Sequence, residues 1–212
     1  MHNIHVLNNG LRVVTEYIEH VNSISVGVMV QNGSRNENIT ENGISHFIEH
    51  MFFKGTDKRS SKQIVEEIEN VGGQINAYTS KEATCYYIKA LNNHIELSLD
   101  ILSDMIINSK FDDEEIKKEQ GVVLEEINMS QDTPEDVLDN NQAKAIFGEN
   151  SLSYPILGTS ETVKSFNSKK IKAFVRSHYT PKNSVISVCG KFDEKELLKI
   201  IKDKFEQWEG EG

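Results

Sequence analysis

At 212 residues, 37% hydrophobic and 26% charged, the chain has the composition of an ordinary globular protein, not of a disordered or membrane-spanning one. Its net charge of −10 argues against nucleic acid as a partner, since phosphates demand clustered Lys and Arg. No apolar run approaches the roughly 18 residues that span a bilayer, and Met1-His2-Asn3-Ile4-His5-Val6 lacks a secretory signal, so cytoplasmic residence away from membranes is the expectation.

Predicted elements open with strands over Ile4–Leu7 and Leu11–Ile18, joined by the hairpin turn Asn8-Asn9-Gly10. A third strand, Ser23–Val30, alternates small or polar with apolar residues. A helix follows from Glu41 to Phe53, closing at Lys54-Gly55-Thr56. Ser60-Ser61-Lys62-Gln63 has the form of a capping box and starts a helix that runs to Val71. Gly72-Gly73 breaks it, and strands over Gln74–Ser80 and Ala83–Leu91 come next. Helical patterns cover His94–Asn108, Asp112–Met129, Pro134–Phe147 and Thr159–His178. A late strand, Asn183–Cys189, precedes a closing amphipathic helix, Glu194–Phe205. This order predicts an α+β fold, a mixed, largely antiparallel sheet covered by helices. Cys85 and Cys189 read as buried reduced thiols, and Trp208–Gly212 as the start of a linker after a domain over residues 1–207.

Chemistry concentrates in His46-Phe47-Ile48-Glu49-His50. Residues four apart share a helix face, so His46 and His50 can bind one metal ion, with Glu49 beside them to act on a water. This is the inverted H-x-x-E-H order of zinc peptidases. Catalytic zinc takes three protein ligands, and the helix from Asp112 offers Glu114, Glu115, Glu119, Glu125 and Glu126 for the third. Glu119 and Glu126 lie two turns apart on one face with Val122 and Val123, a pattern that suggests an inward face. Glu125 points about 100° away. The pattern leans to Glu126 without settling it against Glu125. The remaining histidines, His2, His5, His20, His94 and His178, read as surface or core groups.

The segment His46–Thr56 (HFIEHMFFKGT) closely resembles the zinc helix of the pitrilysin, insulinase and mitochondrial processing peptidase family of inverted-zincin metallopeptidases. Gly72–Ser80 (GGQINAYTS) resembles the strand that follows that helix in the family. Ile127-Asn128-Met129 and Asp132-Thr133-Pro134 resemble the small bacterial members most closely. The resemblance implies a LuxS/processing-peptidase-like metallohydrolase fold and one zinc ion per chain. It implies His46, His50 and Glu126 as ligands, Glu49 as general base and Glu119 as a supporting carboxylate. It also implies that Asn76, Ala77 and Thr79 lie on an exposed edge that binds extended peptide. Tyr86 could face the same cleft, but core packing accounts for it better.

Family members consist of two related halves, of which the first carries zinc. The resemblance therefore implies a zinc-dependent endopeptidase whose metal-bearing half is this chain. Its homologous second half would come from a fused segment or a partner subunit, and a homodimer is a further arrangement. The alternative is a scaffold or binding subunit that keeps the fold without catalysis.

Overall fold

Alternation along β3 (Ser23–Val30) sets the middle of the sheet: Ile24, Val26, Val28 and Val30 are buried, while Met29 is exposed. The computed structural model describes residues 2–210. The hairpin of β1 (His2–Val6) and β2 (Arg12–Tyr17) turns through Gly10, whose φ of 88° suits glycine. On the other side of β3, β5 (Thr84–Leu91) pairs antiparallel with it and with β4 (Gln74–Thr79), which forms the sheet's edge. The last strand, β6 (Ser184–Gly190), inserts between β2 and β3, parallel to the first and antiparallel to the second. The six-stranded order is β1-β2-β6-β3-β5-β4, so the mixed, largely antiparallel sheet is present.

Helices cover the face that carries the buried strand residues, while Met29, Ser187 and Lys89 on the other face are exposed. Directly on the strands lie α1 (Ile44–Met51), α2 (Ser61–Glu69) and α3 (Ile95–Asn108). The remaining helices are α4 (Asp113–Asp132), α5 (Pro134–Phe147), α6 (Ser160–Ser165), α7 (Ser168–His178) and α8 (Glu194–Phe205), whose Glu194 bonds to Asn3, His5 and Thr15 of β1 and β2. Among the described residues, no helix is long and apolar enough to cross a membrane.

Beneath α1, Phe52 packs against Tyr86, Tyr179 and Phe111 at ring-centroid distances of 5.0, 5.4 and 5.6 Å. Tyr86 is thus a core residue, and its hydroxyl meets that of Tyr179 at 3.3 Å. Just after α1, the buried Arg59 guanidinium donates to Glu67, Asp100 and Asp104 at 2.9, 2.6 and 3.0 Å. These charge-assisted bonds tie the segment after α1 to α2 and α3 and compensate the burial of the cation.

Several elements differ from their predicted form. The helix expected from Glu41 begins only at Ile44, because Gly43 sits at φ 90° and cannot continue a right-handed helix backwards. The pattern over Thr159–His178 is two helices, since Phe166 leaves the helical conformation and Asn167 caps α7 with its side chain. Gln120 Nε2 donates to Val163 and Phe166 carbonyls at this break. Trp208 is buried against Phe205 instead of opening a linker, and its carbonyl accepts from Asn9 Nδ2. Of the remaining predicted linker, Glu209 and Gly210 are exposed, whereas Glu211 and Gly212 lie outside the described residues. Both cysteines are free, but Cys189 is half-buried where full burial was expected, because its side of β6 faces away from the helices.

Replacing Phe52 with Ala empties the centre of the aromatic cluster. The expected loss is about 3–5 kcal/mol, seen as a lower urea midpoint at unchanged slope.

Candidate metal centre

A helix of eight residues such as α1 is too short to persist alone, so tertiary contacts must hold it. Its first residue follows a glycine, which has no side chain to cap the free amides. Glu37 does this from outside the helix. Its Oε2 accepts from Gly43 N at 2.7 Å and Asn42 Nδ2 at 3.0 Å, and its Oε1 from Ser45 N at 2.8 Å. The carboxylate also lies at the positive end of the helix dipole. Burial pushes the Glu37 carboxyl above its ordinary value, and the Ser45 and Gly43 amides only partly hold it back.

Against the same helix end packs the loop through Gly158. A Cβ on Gly43 would stand 2.6 Å from Gly158 Cα, and one on Gly158 would stand 2.5 Å from Asn42 O. Both glycines have positive φ, so neither position tolerates a side chain. Sequence reasoning missed Glu37, Gly43 and Gly158. The Asn42-Gly43 dipeptide, a turn signal inside the expected helix, could have exposed the first of these relations.

From this anchored helix, His46 and His50 project toward α4 with ring centroids 4.6 Å apart. Glu126 Oε2 stands 3.8 Å from His46 Nε2 and 3.6 Å from His50 Nε2. Those separations are too long for hydrogen bonds. They are close to the roughly 3.3 Å expected between two donors sharing a tetrahedral zinc ion. Glu126 Oε2 is buried and has no hydrogen-bond partner, so its position is explained by a cation between the three donors. The donor set fits a divalent metal.

Glu125 is exposed and turned outward, as helix geometry predicted. Val122 corrects the predicted inward face, for it is also exposed. Ile116, Val123 and Ile127 define the buried side of α4, and Val122 falls about 100° from its centre.

Glu119 is almost fully buried and supports the second histidine: His50 Nδ1 lies 2.8 Å from its Oε1, while Lys54 Nζ lies 2.5 Å from its Oε2. Burial would raise the Glu119 carboxyl, but the His50 and Lys54 contacts outweigh it and hold it below its ordinary value. Burial would likewise depress His50, and here the Glu119 bond and the charges of Glu126, Glu119 and Glu49 win, so it is raised. His46 has no such partner. Burial, aided by the neighbouring His50, lowers it to about 4, which leaves a neutral ring available as a ligand.

Glu49 points from α1 toward edge strand β4, where the Thr79 hydroxyl donates to its Oε2 at 2.5 Å. Burial raises the Glu49 carboxyl above its ordinary value despite that bond. Both residues, with His46, line a cleft of about 860 Å³ between β4, α4 and α5 and the Pro155–Ser160 segment. Ala77 and Thr79 face this cleft. Asn76 does not, because strand alternation puts its side chain on the opposite, exposed side. Its Oδ1 instead accepts from Ala77 N at 2.8 Å. Tyr78, not anticipated, also borders the cleft although it shares the exposed phase of Asn76.

Residues 12–160 match the family model for insulinase, peptidase family M16. The chain belongs to the insulinase family. Residues 165–212 match the peptidase M16 inactive domain. A Bacillus subtilis relative, the uncharacterized zinc protease YmxG, is 47% identical over 204 residues, covering 96% of this chain and 50% of that protein. An uncharacterized zinc protease of Rickettsia bellii is 42% identical over 93% of this chain and 48% of its own length. The chain thus spans about half the length of these relatives. Among solved structures, a protease from Helicobacter pylori superimposes with a TM-score of 0.96 at 27% identity, over all of this chain and 51% of that one. The peptidase M16 inactive domain from Pseudomonas fluorescens shares the fold, with a TM-score of 0.89 at 14% identity over 96% of this chain and 50% of that one.

Two measurements test the insulinase-type site as it stands without metal. Glu37→Ala leaves two buried amides without an acceptor and is expected to cost about 2 kcal/mol or more in urea unfolding. For His46, the folded value of about 4 lies below 6.5, so the unfolded chain takes the proton first. Stability from this group is full above pH 6.5 and declines as pH falls toward 4. In metal-free protein, His46→Gln is expected to flatten that part of the stability–pH curve.

Proposed function

We propose that this chain is the metal-bearing half of a zinc-dependent endopeptidase acting on extended peptides. The observation that carries the reading is the convergence of His46, His50 and the unpartnered Glu126 Oε2 beside the Glu49 carboxylate, at the wall of a cleft bounded by a free sheet edge. His46, His50 and Glu126 would hold the zinc. When bound, zinc supplies Lewis acidity, acidifying water and polarising a peptide carbonyl.

Glu49 is the general base. It takes the proton from the attacking water and returns it to the leaving amine nitrogen, so one carboxyl serves both steps. Its raised affinity for the proton, caused by burial, suits that exchange. Glu119, with Lys54 behind it, holds His50 in the orientation that turns Nε2 toward Glu126, as a shared metal ligand would require. An extended peptide adds to β4 through main-chain hydrogen bonds, which hold many sequences alike.

A second half of the same fold closes the cleft in this reading. Relatives twice this length support it, as does the shared fold of the M16 inactive domain. So does α5, which has no buried residue and exposes Leu138, Ile146 and Phe147 beside the cleft. The inactive-domain match over residues 165–212 favours a second reading, a scaffold that keeps the fold without catalysis. A scaffold has no physical need for three converging donors and a buried base, and we set it second.

Zinc content and cleavage of a mixed peptide pool, measured with the downstream half present, decide between them. Glu49→Gln is expected to keep zinc and lose cleavage by at least about 10²-fold. His50→Ala and Glu126→Gln are expected to lose zinc, and Glu125→Gln to lose neither. Bound zinc without any cleavage by the wild type would favour the scaffold.

A further inference from the structure

We infer that Thr79 is a positioning residue that locks the Glu49 carboxylate and couples it to the peptide-binding edge of the sheet. The inference rests on the reading of Glu49 as general base. Thr79 sits near the end of β4, on the inward phase of its alternation shared with Ile75 and Ala77, and α1 packs against this strand. Its hydroxyl reaches Glu49 Oε2 directly.

Proton accounting gives the contact its direction. A threonine hydroxyl has one proton to donate. Thr84 Oγ1, 3.5 Å from Thr79 Oγ1, gives its own proton to the Asn32 carbonyl at 2.9 Å. Toward Thr79, Thr84 can then only accept, and the much shorter 2.5 Å contact to the Glu49 carboxylate takes the Thr79 proton. Thr84 is fully buried in the centre of the fold, so the far end of this chain is fixed. With Oε2 engaged, Oε1 is the Glu49 oxygen that meets the attacking water and holds the transferred proton.

The second consequence concerns the edge. Thr79 belongs to the strand that a bound peptide would extend, two residues beyond Ala77, whose amide turns away from the sheet partner toward Asn76 Oδ1. A peptide pairing with β4 would bear on the same backbone that aims the base. Substrate alignment and base alignment are then set by one rigid element rather than by two independent loops.

The test uses full-length, zinc-loaded protein and a quenched-fluorescence peptide that the wild type cleaves. Thr79→Val keeps the shape and removes the proton. It is expected to lower kcat about 10- to 100-fold with KM within about twofold and zinc content unchanged, and Thr79→Ser is expected to restore most of the rate. Independently of activity, isotope-edited infrared spectra of metal-free protein report the Glu49 carboxylate, assigned by its loss in Glu49→Gln. The band is expected to move in Thr79→Val and to return in Thr79→Ser.

A normal kcat and an unmoved band in Thr79→Val overturn the inference, as does a raised KM at unchanged kcat, which makes Thr79 a substrate contact. Thr79→Ala carries the same readouts if the valine variant does not fold. Cleavage that survives Glu49→Gln overturns the base assignment instead, and leaves the infrared result to judge the contact by itself.

Discussion

Everything at this site depends on burying the N-terminal end of an eight-residue helix. Free amides at a helix end need acceptors, and here water is excluded by the loop that packs Gly158 against Gly43. Glu37 meets the need with both carboxyl oxygens, satisfying amides on both sides of the helix start. The cost of burying that carboxylate is offset by the donors around it and by the helix dipole. Only a helix fixed in this way can hold His46, Glu49 and His50 in set directions, because short helices otherwise fray. Arg59 and its three carboxylates perform the matching service beyond the other end.

The two histidines differ in how they are held, and the difference follows from α4. His50 has a buried carboxylate behind it and a lysine behind that, so its ring is clamped and charge-compensated. His46 has neither and rests on packing, with its Nδ1 buried and unpartnered. Hydrogen bonding within the protein therefore fixes Nδ1 of His50 and leaves Nδ1 of His46 without a partner. The same helix face supplies Glu119 and Glu126 two turns apart, one bonded to Nδ1 of His50 and one facing Nε2 of both histidines.

What could be read from the residues was whatever depends on helical spacing. His46 and His50 on one face, Glu49 beside them, and Glu119 with Glu126 on another face follow from a period of 3.6, and the structure brings them together. Spacing leaned to Glu126 over Glu125 without settling it, and family resemblance carried the choice. Burial on α4 now explains that choice, since Glu125 is turned to solvent. Relations across the fold were illegible. Glu37 caps a helix eight residues away through an irregular turn, which no periodicity records. The side of β4 on which Asn76 falls depends on which face α1 covers, and that is settled by the sheet. Trp208 reads as linker until Asn9, nearly two hundred residues earlier, is found holding its carbonyl.

The insertion of β6 between β2 and β3 has a bearing on how the molecule is made. Both neighbours of this strand lie within the first thirty residues, while β6 itself is the last strand, so its pairings span more than 150 positions of chain. Hairpins β1–β2 and β4–β5 can form as they emerge, but the two parts of the sheet cannot be joined until Gly190 is available. Closing such long loops late makes assembly slow and leaves two sheet edges open in the meantime. The six-stranded sheet that carries the histidine helix on β4 and β5 is therefore complete only once β6 has been made.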